Sequence, residues 1–221
     1  MWYNKIKDKT FSMIEVIPSI LEKNFSEIKR KMQLVEGLVE WVQIDIADGI
    51  LVPNTTFSEP SAFKDFHTKL KLEAHLMVKE PVKLVKPYID AGFKRLYAHI
   101  ESGQAEEFTA ECFKYDCQAG LAIDGPTPFE KIHPYLDNID AVLVMAIEAG
   151  FSGRPYREDT AEKIKKIREI DFELPIATDG AMDDINAEKV VAAGANIICS
   201  NSYIFKGQDV KEKIETLKKL G

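Results

Sequence analysis

Eight short runs of β-branched and aliphatic residues, each followed by a stretch with helical spacing, recur along nearly the whole of this 221-residue chain. The runs begin near Ile14 (IEVIPSI), Trp41 (WVQIDIA), Leu70 (LKLEAHLMV), Lys94 (KRLYAHI), Gln118 (QAGLAI), Ile139 (IDAVLVMAI), Leu174 (LPIATDG) and Asn196 (NIICSNS). Amphipathic spacing predicts helices over 24–36, 81–91, 104–115, 127–136, 159–170, 183–193 and 210–220. After the second run, 49–69 reads as partly irregular, with a short helix near 61–68. Near-continuous apolar strands are those buried on both faces, and strands alternating with helices make a parallel sheet, because parallel neighbours need a crossover. Eight such units in about 200 residues predict a single (β/α)8 TIM barrel; an open doubly wound sheet is the alternative. Gly92 and Gly194 stand where helices should stop before the next strand.

The expected organisation is an N-terminal extension, 1–12, and one barrel domain, 13–221. Net charge is −7 with the acidic residues scattered, so nothing resembles the basic stripe that nucleic acid would attract. No apolar run approaches a membrane span. Three cysteines without a C-x-x-C pair, Cys112, Cys117 and Cys199, suit a reducing, cytoplasmic setting and buried roles. His67 and His133 read as surface residues, and the lysine-rich stretches 163–168 and 211–219 as solvated helix faces. Trp2 and Tyr3 read as docking on the barrel's lower face or on a partner.

In such a barrel, chemistry sits at the carboxyl ends of strands. The second strand ends Gln43-Ile-Asp45-Ile-Ala-Asp48, the third Glu73-Ala-His75-Leu-Met77 and the seventh Thr178-Asp179-Gly180. A period of two puts Gln43 and Asp45 on one face. A carboxylate facing a barrel interior is costly unless paired, hydrogen-bonded or metal-bound. Aspartates and a histidine from three strands therefore suggest a divalent metal site or an acid/base pair, although an aspartate at a strand end is also a common turn former. His99, with Glu101 two residues on, reads either as support behind the site or as core. Gly150-Phe-Ser152-Gly153, Gly180-Ala181 and Asn201-Ser202 follow the last three strands, where loop amides can face a phosphate.

Ile17-Pro-Ser-Ile-Leu21, Asp45-Ile-Ala-Asp48 with Val52-Pro-Asn54, Ala74-His-Leu-Met-Val78, His99-Ile-Glu101, Met145-Ala-Ile-Glu-Ala-Gly-Phe-Ser-Gly153 and Thr178-Asp-Gly180 occur in this order from Val16 to Phe205. Together they resemble the ribulose-phosphate 3-epimerase family. The resemblance implies inversion of C3 in a ketose phosphate such as D-ribulose 5-phosphate, with Asp45 and Asp179 as acid and base. It implies one divalent ion, Zn, Mn, Fe or Mg, at Gln43, Asp45, His75 and Asp179. Ser19, Met77 and Met145 would line the substrate pocket. Gly150, Ser152, Gly153, Gly180, Ala181, Asn201 and Ser202 would hold the phosphate. A homo-oligomer is expected on the same ground.

The chain departs from that pattern in four places. Gln43 stands where a histidine ligand is expected, Ala47 for a methionine, Ala181 for the second glycine of the turn, and Asn201 for a glycine, a site where asparagine's tolerance of left-handed backbone would matter. A related lyase or a sugar-phosphate binder without turnover are the rival readings. The lyase pattern Asp-x-Lys-x-x-Asp lacks its lysine here, since Ala47 occupies that place.

Overall fold

The computed structural model describes residues 14–221, so the expected extension 1–12, with Trp2 and Tyr3, lies outside the described residues. Eight strands close into a parallel barrel in sequence order: β1 (Glu15–Ile20), β2 (Trp41–Ala47), β3 (Lys71–Met77), β4 (Arg95–His99), β5 (Gln118–Ile123), β6 (Ala141–Met145), β7 (Ile176–Asp179) and β8 (Ile197–Ser200). Pairing of β1 with β8 removes both edges, and the open-sheet alternative with them.

Period-two alternation sorts the strand residues into two cores. Val16, Ile44, Ala74, Leu96, Leu121, Val142, Ile176 and Ile198 pack outward against the helices, while Ile17, Trp41, Met77, Tyr97, Ala122, Leu143, Ala177 and Cys199 fill the lumen. Near the amino ends of the strands the lumen is closed by an ion pair, Arg95 Nε to Glu73 Oε2 at 2.6 Å, with the guanidinium over Trp41 at 4.4 Å. Gly120 leaves room for Tyr97: a Cβ there would lie 2.2 Å from the ring.

The outer helices are α1 (Phe25–Val35), α2 (Ser61–Lys64), α3 (Val82–Asp90), α4 (Ala105–Lys114), α5 (Thr160–Ile170), α6 (Asp184–Ala193), α7 (Ser202–Phe205) and α8 (Val210–Lys218). Asn24 and Asp183 cap α1 and α6, each accepting a backbone N–H three residues on. Gly92 and Gly194 take left-handed φ of 96° and 114° where α3 and α6 end, as expected.

Three expectations need correction. The helix expected over 127–136 is two 3-10 turns, Phe129–Lys131 and His133–Asn138, because Pro128 and Pro134 deny it two backbone donors. The short helix of 61–68 stops at Lys64. The stretch 163–168 is not simply solvated. Lys163 is buried, and its Nζ donates to the carbonyls of Asp124, Gly125 and Thr127 at 3.2, 3.0 and 2.7 Å. Arg168 donates to the carbonyls of Gly194, Asp171, Phe172 and Leu174. In the second stretch, Lys218 Nζ likewise donates to the Leu38 carbonyl at 2.8 Å. No helix among the described residues is long and apolar enough to cross a membrane.

Candidate active site

Register carries the reactive side chains to one end of the lumen. Asp45 pairs in register with His75 across β2 and β3, and Met145 with Asp179 across β6 and β7. The ligand atoms of Asp45, His75 and Asp179 all lie within 4.8 Å of one another, and all three residues are buried. The backbone behind Asp45 is fixed by Thr56, whose hydroxyl donates to the Asp45 carbonyl (2.8 Å) and accepts from Ala47 N–H (2.9 Å).

Gln43 lies beneath this cluster, fully buried. Its Nε2 donates to Asp45 Oδ1 at 2.9 Å and to Asp179 Oδ2 at 2.8 Å, so one amide bridges both carboxylates. Its Oε1 is buried with no hydrogen-bond partner among the described residues. Asp179 Oδ1 also accepts from Gly180 N–H (2.7 Å) and Ser19 Oγ (3.4 Å). Burial pushes Asp45 up to about 7. Burial, reinforced by the Asp45 charge, does the same for Asp179. Burial, with a smaller contribution from the adjoining His99, lowers His75 to about 3, leaving a neutral imidazole.

The cavity above is lined by Ser19, Asp45, His75, Met77, Met145, Gly150, Ser152, Gly153, Asp179, Gly180, Ala181, Asn201 and Ser202. Every site residue expected from sequence therefore meets at one cavity, save Gln43, which underlies it. Leu21, Ile147, Phe151, Met182 and Cys199 line it too. Leu21 and Ile147 were readable from period two, lying two residues beyond Ser19 and Met145. Cys199 needed the pairing register with Asp179.

The rim has its own geometry. Gly180 is left-handed, and a Cβ there would lie 2.4 Å from Ile147. Ala181 is left-handed too, at φ 53°, an unusual state for a residue with a side chain. Asn201 sits at φ −104°, so its left-handed tolerance is not used; instead its Oδ1 accepts from Lys31 Nζ at 3.3 Å. Asn54 Nδ2 donates to the Gly150 carbonyl at 2.7 Å, tying the loop after β2 to the loop after β6. Asp48 accepts the N–H groups of Ile50, Leu51 and Lys79 and so acts as a turn former.

Can these groups hold a cation? Two carboxylates and one imidazole within a few ångströms make a sound divalent site. Gln43 is the poor fit, for it offers nitrogen; only a turned amide would present its orphaned oxygen.

A closed parallel barrel with two buried acids converging at the carboxyl ends of its strands, beneath glycine-rich loops, is the architecture of a (β/α)8 enzyme. The chain belongs to the ribulose-phosphate 3 epimerase family, whose model matches residues 15–205, and the resemblance carried by the sequence motifs is borne out. It is 36% identical over 203 residues to a ribulose-phosphate 3-epimerase of Rhodobacter capsulatus, covering 89% of this chain and 88% of that one. It is 31% identical to a Bacillus subtilis protein of the same name, covering 93% and 99%. Among solved structures, the 3-hexulose-6-phosphate synthase of Salmonella typhimurium superposes with a TM-score of 0.71 at 14% identity, covering 94% of this chain and 98% of that one, a likeness of fold.

Proposed function

We propose that this chain inverts C3 of a ketose phosphate, D-ribulose 5-phosphate being the substrate class its relatives' name gives. One observation carries the reading: two buried carboxylates, from strands far apart in the chain, converge on one amide. Inversion needs a base to remove the proton α to the carbonyl and an acid across the plane to return one. Asp45 and Asp179 take these parts, one for each face of the substrate. Ser19 holds Asp179 in place, and Met77 and Met145 give the planar intermediate an apolar wall. The turns at Gly150–Gly153, Gly180–Ala181 and Asn201–Ser202 receive the phosphate through backbone donors, that of Gly180 being already given to Asp179.

Asp45, His75 and Asp179 would hold one divalent ion, which, when bound, supplies positive charge to offset that of an enediolate. With two carboxylates, one imidazole and at best an amide oxygen, the donor set suits Mn²⁺ or Mg²⁺ better than Zn²⁺. A cytoplasmic location and self-association belong to the same reading.

The test is entry of solvent deuterium at C3 of ribulose 5-phosphate, followed by NMR. Exchange is expected in the wild type and absent in Asp45→Asn and Asp179→Asn, both of which should remain folded. Background exchange with Mn²⁺, Zn²⁺, Mg²⁺ and Fe²⁺ each supplied would exclude this substrate. The orientation of Gln43 favours one rival, binding without turnover, which would appear as calorimetric binding of the same sugar phosphate with no exchange.

A further inference from the structure

Behind His75 the structure continues into groups that the acid–base reading does not use. His75 Nε2 lies 2.8 Å from His99 Nε2. His99 Nδ1 lies 3.0 Å from Glu101 Oε2, and Glu101 Oε1 accepts the backbone N–H of Asp124 at 2.9 Å. Both imidazoles are buried. This line runs from the cluster through the end of β4 to the turn after β5.

We propose that Glu101 and His99 are positioning residues that hold His75 in the tautomer whose Nδ1 lone pair faces Asp45 and Asp179. With one proton on each ring the line has a single polarity. Glu101 is an acceptor only: burial pushes its carboxyl up, but bonding to His99, and lesser contributions from Thr127 and the Asp124 amide, outweigh that and hold it at about 2. The proton between them therefore sits on His99 Nδ1, and His99 Nε2 presents a lone pair. That lone pair can accept only if His75 carries its proton on Nε2. His75 Nδ1 is then bare, 3.1 Å from Asp45 Oδ1 and 3.8 Å from Asp179 Oδ2. A bare nitrogen facing a carboxylate oxygen at that distance is stable only with a positive particle between them, a proton or a metal ion. The relay thus orients His75 as a donor aimed at the centre, as an outer hydrogen bond does for a ligating histidine. The tautomer assignment stands on these hydrogen bonds alone; its use in holding an ion rests on the metal reading above.

The chain has four histidines, which makes the test direct. Long-range ¹H–¹⁵N correlation on the full chain, freed of metal with chelator and held at pH 8, should show His75 protonated on Nε2 and His99 on Nδ1. His99→Phe removes the acceptor, so His75 should move its proton to Nδ1 and donate to Asp45. Mn²⁺ affinity, followed by electron paramagnetic resonance, should then weaken about 10–100-fold. His99→Gln restores a carbonyl acceptor and should return most of that loss, which a merely space-filling ring would not do. The proposal fails if wild-type His75 carries its proton on Nδ1, or if His99→Phe and His99→Gln both leave the His75 tautomer unchanged. Correct tautomers in a wild type that binds no Mn²⁺ would retire the metal reading and leave the relay standing.

Discussion

At position 43 an amide NH2 group lies between two carboxylates that would otherwise repel one another. The bridge does not remove the cost of burying them. Both acids titrate near 7 in the folded chain, raised by burial from 3.8 for an ordinary aspartate. The sign follows: a folded-state pKa above the unfolded one gives stability that is complete below about pH 4 and lost as pH climbs to about 7. Replacing one acid with its neutral isostere should spare the protein that loss. In metal-free protein, the melting temperature of Asp45→Asn should rise above wild type progressively from pH 5 to pH 8. The final gap should be about 2 kcal/mol, or roughly 4–8 °C in a chain of this size. A gap independent of pH would show that the two acids do not carry this strain. At the same position, Gln43→His supplies a second imidazole, and Zn²⁺ affinity should tighten by about tenfold or more. Equal affinity in a competition titration would place residue 43 outside the ion's reach.

Among the elements, α5 shows how a helix can be read correctly and its face misread. Its bounds were legible from apolar spacing, and its lysines looked like an ordinary solvated surface. Lys163 is instead the hub of the loop after β5, its ammonium collecting three carbonyls that have turned away from regular structure. A one-dimensional pattern reports which positions are apolar, and a long polar side chain can cross an apolar layer to reach its partner. Lys163→Met keeps the stem and removes the donors. It should cost about 2–3 kcal/mol in denaturant unfolding, with local hydrogen exchange rising first at 124–127. Wild-type stability would mean water satisfies those carbonyls equally well. The failed helix at 127–136 has a plainer cause. Leu136 and Ile132 gave it helical spacing, but Pro128 and Pro134 limited it to 3-10 turns. The site elements were more legible. Asp45, His75 and Asp179 sit at strand ends where period two and barrel topology fix direction. The orientation of the Gln43 amide and the polarity of the His99–Glu101 line depend on hydrogen bonds between strands, which no local spacing encodes.

Across the whole molecule, the barrel separates two kinds of polar interior. The lower lumen holds Glu73 and Arg95, opposite charges in direct contact and roofed by aromatic rings. The upper lumen holds like charges and a neutral imidazole. Tyr97 lies between these levels and fits only because residue 120 has no side chain. Gly120→Ala should therefore lower stability by about 3 kcal/mol, roughly 6–12 °C, as the ring is forced off its rotamer. An unchanged melting temperature would mean the lumen is looser than its packing indicates. The ion pair below joins opposite charges in direct contact, whereas the upper end gathers two acids whose burial raises both. Random change should consequently be felt in different ways at the two ends: damage to the floor would reduce how much protein survives, while damage near the mouth would leave abundant, sturdier and idle molecules.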